Sequence, residues 1–137
     1  MINFQEVFEA NYQYCLKEID YRTVESDPKD NIEIKIKDDI PFTCSLDDNK
    51  FKFDVRRSVL MVPTAVYQLT VSFGVTLTIL EDAPDLSSID WSNEFKTNPV
   101  FENIIQGMMS RISVLISQIT GASGKTPLVT PPGLQKE

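Results

Sequence analysis

The residue types that carry most enzyme chemistry are scarce in this chain of 137 residues. It contains no histidine, which removes the usual general base near neutral pH and the commonest zinc ligand. Its two cysteines, Cys15 and Cys44, form no Cys-x-x-Cys motif and cannot build a metal cage alone. Both lie beside apolar or strand-like sequence, so we expect small buried or half-buried thiols. A single disulfide between them has no support in the sequence.

The remaining candidates for chemistry are acidic pairs and one glycine-rich segment. Asp38-Asp39 and Asp47-Asp48 stand beside turn-forming residues, so we interpret both pairs as parts of turns. Residues 121–126 read Gly-Ala-Ser-Gly-Lys-Thr, but a phosphate loop needs wider glycine spacing and a strand before it. A helical pattern precedes this segment instead, and Pro127 follows it. We therefore predict no catalytic residue, no metal site and no cofactor, and we expect that the protein is not an enzyme.

Length and composition fit one globular domain spanning residues 1–137. Hydrophobic residues make up 42% of the chain and charged residues 24%, and this length can bury one sizeable core. The net charge of −7 counts against nucleic acid as a partner, because phosphate binding needs clustered Lys and Arg. Glu6 and Glu9 replace the basic start of a signal peptide, and Thr, Ser and Gly interrupt the apolar stretches. We expect a cytoplasmic protein without membrane insertion.

Alternation of apolar and polar residues predicts a sheet. Residues 12–21 alternate with one change of phase, which a bulged strand explains. Residues 32–36 alternate with charged residues, and Pro41 either ends that strand or places it at an edge. Residues 51–61 alternate as well, and we interpret Arg57 as a break that indicates a bend or a site near the rim of the sheet.

The clearest strand covers residues 68–79, where six apolar residues recur in strict period two. Its other face is small and neutral, which leaves two interpretations open: close contact with another sheet or subunit, or a solvated face rich in threonine. Residues 81–97 then predict an irregular acidic loop. Its aromatic residues Trp91 and Phe95 are expected to anchor it to the core.

A long helix is predicted from residue 98 onward. Asn98 suits the N-cap and Pro99 the first turn, while Gly121 or Gly124 would end the helix. Apolar residues form a core-facing stripe and also lie beside it, so we expect part of this helix to meet another subunit. The stripe comprises Phe101, Ile105, Met108, Ile112, Leu115 and Ile119, and the residues beside it are Ile104, Val114 and Ile116.

The order of these elements resembles that of the protein-export chaperone SecB and its SecB-like relatives. Residues 67–74, Tyr-Gln-Leu-Thr-Val-Ser-Phe-Gly, resemble the last long strand of that family. Residues 111–120 and 127–132 are similar to its main helix and to the proline-punctuated apolar segment that follows it. The resemblance covers the whole chain in layout, and the C-terminal part of the chain in motif.

This resemblance implies an α+β fold in which a long C-terminal helix covers one face of a four-stranded antiparallel sheet. It also implies a homo-oligomer built as a dimer of dimers, and an ATP-independent chaperone for unfolded or partly folded polypeptides. Two roles stay open: protein export with the export ATPase as partner, or an adaptor for one partner such as a toxin–antitoxin or phage protein. The family's second helix would follow Pro131-Pro132, so with the sequence ending at Glu137 we expect a more open groove.

Binding of client chains would use apolar and aromatic surface together with main-chain pairing at a sheet edge. Taken singly, each candidate residue also fits a place in the core. Glu18 and Asp20 are the nearest counterparts of the acidic sheet residues through which that family binds the export ATPase. The candidates for peptide binding are Phe4, Phe8, Trp91, Phe95, Leu128, Val129 and Leu134.

Overall fold

The computed structural model describes residues 1–24, 33–45, 48–62, 66–124 and 127–135. Within these ranges the chain forms five strands and three helices. In chain order they are α1 (Phe4–Val7), β1 (Gln13–Val24), β2 (Glu33–Asp39), β3 (Phe42–Ser45), β4 (Lys50–Val62), β5 (Val66–Thr78), α2 (Trp91–Thr97) and α3 (Pro99–Ala122). Among residues discussed above, Ile32, Asp47, Lys125 and Thr126 lie outside the described ranges.

The strands form one antiparallel sheet in the order β1-β5-β4-β2, and β3 pairs with β4 beyond the end of β2. α3 packs on one face of this sheet, against β4 and β5. The predicted fold class is confirmed. The sheet has five strands rather than four because Pro41, which has no N–H to donate, divides the edge strand into β2 and β3.

The predicted bulge lies in β1. Leu16 pairs with Phe73 and Glu18 pairs with Ser72, so Lys17 is the extra residue. One extra residue reverses the side on which the following side chains point. Leu16 and Ile19 therefore both face the side of the sheet that carries α3, although their sequence separation is odd.

α3 begins and ends as the sequence predicts. The side chain of Asn98 accepts a hydrogen bond from the Val100 amide at 3.1 Å, and Pro99 occupies the first turn. The helix ends at Ala122, and Gly124 follows with a φ of 78°, a left-handed conformation that suits glycine.

The buried face of α3 differs from the predicted stripe. Ile104 and Ile116 are buried in the core, whereas Leu115 and Ile119 are only half-buried. From Met108 onward, one line of buried residues recurs every four positions, and each such step turns the contact line by about 40°. These residues are Met108, Ile112, Ile116 and Thr120.

The acidic segment after β5 contains a helix that the sequence prediction missed. α2 starts after Asp90, whose side chain accepts a hydrogen bond from the Asn93 amide at 3.2 Å. Trp91 and Phe95 stand one helical turn apart and are both buried, so their predicted role as anchors is confirmed.

An aromatic cluster forms the core beneath α1, α2 and the start of α3. Phe101 is fully buried at its centre, with ring centroids of six other aromatic residues 5.2–6.3 Å away. All six rings stand edge-to-face with Phe101, and such pairs add to the stabilisation that comes from the area each ring buries. The six residues are Phe4, Phe8, Phe51, Phe53, Trp91 and Phe95.

The bend predicted at Arg57 and the burial predicted for Cys15 are both wrong. β4 runs without interruption from Lys50 to Val62, and Arg57 is buried in the same phase as Val55 and Val59, so it marks no bend. Cys15 is exposed rather than buried, because it lies on the edge strand and faces away from α3, while Cys44 is half-buried as expected. Both thiols are free.

Candidate functional site

A buried ion pair joins β2 to β4 beneath α3. Asp38 and Arg57 stand opposite each other in the ladder, and both side chains are 0% exposed. The Arg57 guanidinium donates from Nε to Asp38 Oδ1 and from Nη2 to Asp38 Oδ2, each at 2.8 Å. This two-pronged geometry is the strongest arrangement available to an arginine and a carboxylate. Asp38 is therefore not a turn residue, and we call Arg57 with Asp38 the buried pair.

The remaining polar groups of the buried pair bind residues 127–135, which we call the tail. The guanidinium donates to Thr130 Oγ1 at 3.0 Å, to the Pro131 carbonyl and to the Gly133 carbonyl at 2.8 Å. The Gln135 amide donates to Asp38 Oδ2 at 2.8 Å. Burying two charges is favourable only when such partners satisfy them, so the tail completes the pair.

α3 supplies two further anchors for the tail. Thr120 Oγ1 accepts a hydrogen bond from the Leu128 amide at 2.8 Å. Ser113 Oγ lies 2.7 Å from Thr130 Oγ1 and 2.9 Å from the Thr130 carbonyl oxygen. Leu128 contacts Thr120 of α3, and Thr130 contacts Ser113 nearer the start of the helix. The tail therefore runs antiparallel to α3. Ser113 therefore binds the tail of its own chain.

A groove of about 890 Å³ lies where the tail, β2 and the two larger helices meet. Four apolar residues form its floor: Ile40, Phe95, Ile105 and Leu134. Its polar lining comes from β2, from the exposed residues of α2 and α3, and from the tail. These residues are Lys37, Asp38, Asp39, Ser92, Lys96, Glu102, Asn103, Gln106, Gly133 and Gln135. An apolar floor with a mixed polar rim suits an amphipathic ligand rather than a charged metabolite.

Two features next to the groove extend the surface that a ligand could use. Phe42 is 42% exposed, and its ring lies edge-on to Phe95 with 5.6 Å between the centroids. Within the described ranges, no strand pairs with the outer edge of β2. An open strand edge presents unpaired N–H and C=O groups to which an extended chain can add.

The sheet face opposite α3 is charged. Lys17 pairs with Asp54 at 2.7 Å, Arg56 pairs with Asp39, and Arg22 pairs with Asp20 at 3.0 Å. The hydrogen bonds that Arg56 donates to Asp39 raise the pKa of Arg56 above its ordinary value, and those that Arg22 donates to Asp20 raise the pKa of Arg22. Asp39 is thus a strand residue in an ion pair, not part of a turn.

The small neutral residues of β5 lie inside this charged face. On either side, β1 and β4 present long charged side chains, an arrangement typical of a solvated sheet surface. Glu18 lines a shallow recess of about 250 Å³ there with Lys37, Asp39, Arg56, Ser58 and Thr70. The two predicted partner-binding carboxylates, Glu18 and Asp20, therefore stand beside cations instead of forming an acidic patch.

A separate apolar surface follows β1 on the side of the sheet that carries α3. Leu16 and Ile19 are exposed there beside Tyr14. The guanidinium of Arg111 lies 4.7 Å from the centroid of the Tyr14 ring and donates to its hydroxyl at 3.0 Å. Val114, one turn along α3 from Arg111, is 57% exposed. In the described part of the chain no strand pairs with the outer edge of β1.

The structure separates the seven residues predicted to bind peptide. Phe4, Phe8 and Trp91 are buried in the aromatic core. Phe95 and Leu134 lie together in the groove. In the tail, Leu128 is half-buried, whereas Val129 is 83% exposed. Contact of these residues with a peptide stays a prediction, and only the Phe95–Leu134 pair is placed in one site.

Sequence reasoning missed the buried pair and its ligands Ser113 and Thr130. The signal was present, because Arg57 falls in the apolar phase of a strand and a buried arginine needs a carboxylate. The strand order that brings Asp38 opposite it was not available from the sequence.

Neither a cluster of potential metal ligands nor a helix able to span a membrane occurs in the described ranges. No three His, Cys, Asp or Glu residues there converge on one point that could hold an ion. The helices described lack the combination of length and apolar character that crossing a bilayer requires.

This is an α+β protein in which a long helix covers one face of an antiparallel sheet, with a groove beside the helix. The solved structure of the Mycobacterium tuberculosis SecB-like chaperone Rv1957, in complex with a ChAD peptide from the Rv1956 HigA1 antitoxin, superposes on 89% of this chain and 90% of its own, with a TM-score of 0.64 and 11% identity. The chain therefore has the SecB-like fold.

The other comparisons add no further assignment. A protein of unknown function from Streptococcus agalactiae aligns over 90% of this chain and 98% of its own, at 12% identity and a TM-score of 0.43, which is too low to support an inference. No family model matches the sequence. No curated protein matches it.

Proposed function

We propose that the protein is a SecB-like chaperone that binds unfolded or partly folded polypeptides in the groove without ATP. One observation carries the proposal: the groove combines an apolar floor with a wall in which an extended segment, the tail, is already bound through its main chain. A client chain would place apolar side chains over Phe95 and Ile105. Its backbone would pair with the open edge of β2.

The fold comparison supports a polypeptide as the ligand. The Mycobacterium tuberculosis protein with this fold is described as a chaperone in complex with an antitoxin peptide. The same description favours the second candidate function, an adaptor that binds one specific partner such as a toxin–antitoxin or phage protein. A third candidate function is protein export with the export ATPase as partner. Glu18 and Asp20, which would contact that partner, stand beside cations and offer this function little support.

The functional test is suppression of aggregation, measured as light scattering of reduced insulin. We expect scattering to fall when the protein is present in stoichiometric excess, and unchanged scattering would count decisively against a chaperone. Gln106→Trp and Gln118→Trp form a matched pair, since both glutamines are exposed on α3 but only Gln106 lines the groove. Gln106→Trp should obstruct the groove beside α3 and weaken the effect, whereas Gln118→Trp should not.

Breadth of binding separates the chaperone from the adaptor. Three unrelated, permanently unfolded proteins should each bind to a chaperone with comparable affinity. An adaptor would leave all three unbound and would bind only the folded or partly folded partner encoded beside it. Fluorescence anisotropy of the labelled unfolded proteins measures this directly.

We further propose that the protein assembles with copies of itself through the outer edge of β1. The exposed residues Leu16, Ile19 and Val114 form an apolar surface beside an open strand edge, and such edges are usually covered in native proteins. A dimer of dimers is the expected assembly. Sedimentation of the Ile19→Asp variant at micromolar concentration should show smaller species than the unmodified protein, and identical species would refute this interface.

A further inference from the structure

The tail is bound to the buried pair almost entirely through main-chain atoms. The Pro131 and Gly133 carbonyls accept from the guanidinium, and the Gln135 amide donates to the carboxylate. Among the described residues, Thr130 alone offers the pair a side-chain atom from the tail. Any extended chain presents carbonyls on one side at every second residue. Binding of this kind therefore depends little on the identity of the bound side chains.

Burial of apolar side chains contributes little to holding the tail. Val129 is 83% exposed, and Pro131 and Pro132 are exposed as well. Leu128 and Leu134 are only half-buried. Because apolar area removed from water is the main source of affinity for a bound segment, a chain with larger apolar side chains over the groove floor would be held more tightly.

The tail and the groove share one wall. Gly133, Leu134 and Gln135 line the groove while the residues just before them cover the buried pair. An extended chain that enters the groove along β2 therefore meets the tail end-on. Departure of the tail would leave water in place of the three acceptors that it offers the guanidinium. An extended chain can supply equivalent acceptors through its own carbonyls.

We propose that the buried pair is a main-chain-binding site for extended polypeptide, that residues 130–135 are its resident occupant, and that a bound client takes their place. This inference rests on the proposed peptide-binding function. The tail competes as a tethered ligand, whose effective concentration is on the order of millimolar for a short connection. The tail therefore lowers the apparent affinity of the groove for clients, and clients that bury little apolar area do not displace it.

A reversible disulfide tests the exchange. Ser113 Oγ and Thr130 Oγ1 are 2.7 Å apart, so Ser113→Cys with Thr130→Cys should crosslink the tail to α3 on oxidation. Cys15→Ser and Cys44→Ala remove the native thiols and give the parent protein. The probe is a labelled, permanently unfolded α-lactalbumin, followed by anisotropy.

We expect the oxidised form to bind this probe at least about tenfold more weakly than the same protein after reduction, because a crosslinked tail cannot be exchanged. The parent should bind equally under both conditions. Equal affinity of the oxidised and reduced forms, or tighter binding by the oxidised form, would overturn the exchange while leaving peptide binding intact. Absence of binding by the parent would instead overturn the proposed function, and this inference with it.

Amide exchange followed by NMR provides a second test on the unmodified protein. Addition of the probe should speed exchange of the Gln135 amide, which loses Asp38 as its acceptor. The Leu128 amide is bonded to Thr120 of α3 and precedes residues 130–135, which the client would displace. It should therefore keep its protection from hydrogen exchange. Unchanged or slower exchange at Gln135 in the saturated complex would overturn the proposal.

Discussion

Replacing Arg57 with methionine leaves the Asp38 carboxylate buried without its counter-ion. Methionine fills much of the volume of the arginine stem but donates no hydrogen bond. The variant also removes the donors to Thr130, Pro131 and Gly133, so the tail loses its main anchor. We therefore expect a large loss of folding stability, together with faster exchange of the tail amides.

The magnitude follows from the burial of both charges. Breaking a fully buried ion pair from one side costs about 3–5 kcal/mol, against a total stability of about 5–15 kcal/mol for a domain. With a urea dependence of about 2 kcal/mol per M, a loss of about 4 kcal/mol lowers the unfolding midpoint by about 2 M. Urea titration followed by the fluorescence of Trp91, which lies in the aromatic core, measures this midpoint.

Lys17→Met is the matched control. Lys17 and Asp54 also form an ion pair on this sheet, at 2.7 Å, but their side chains are 57% and 22% exposed. Exposed pairs contribute about 0.2–1 kcal/mol, so this midpoint should fall by about 0.5 M or less. The pair Arg57→Met with Asp38→Leu should recover a large part of the loss, because no unpaired charge remains. An Arg57→Met midpoint equal to that of Lys17→Met, or additive effects in the double variant, would refute this description of the pair.

Three further predictions concern the core and the titrating groups. Phe101→Ala should cost about 3–5 kcal/mol in urea unfolding, because the ring is fully buried among six others, and a cost under about 1 kcal/mol would contradict the packing. Iodoacetamide should alkylate exposed Cys15 before Cys44, whose pKa is raised by burial, and mass spectrometry of timed samples would reveal the opposite order. Burial, and then neighbouring Tyr21, raise the pKa of Tyr67, so the stability it contributes is complete below about pH 10 and falls at higher pH. Tyr67→Phe should flatten that fall in urea midpoints measured from pH 9 to 11.5, and an unchanged slope would refute it.

The sequence predicts correctly those elements that depend only on patterns among near neighbours in the chain. The strict alternation around β5 and the Asn98-Pro99 start of α3 both correspond to structure within one or two residues. These features depend on the backbone and on near neighbours in sequence, so one sequence is enough to find them. The SecB-like resemblance then supplied the fold class, and the structure comparison confirms it.

Features that depend on distant contacts were missed or misread. α2 is a helix of seven residues, stabilised by insertion of Trp91 and Phe95 into the core rather than by its own propensity. The sequence pattern indicates a break at Arg57, because the partner of this residue is defined only once β2 lies beside β4. The docking of the tail could not be predicted, since main-chain recognition leaves no signature in side-chain type.

The position at which a client touches the protein is the most direct test of the proposed groove. Benzoylphenylalanine introduced at position 106 lies in the groove, and at position 118 it lies outside the groove on the same helix. Irradiation with the unfolded α-lactalbumin probe, followed by quantification of the adducts on a denaturing gel, reports the contact. We predict an adduct at position 106 that exceeds the one at position 118 by about tenfold or more, which corresponds to about 1.4 kcal/mol of preference. Equal adducts at the two positions, or a stronger adduct at position 118, would contradict binding of polypeptide in the groove.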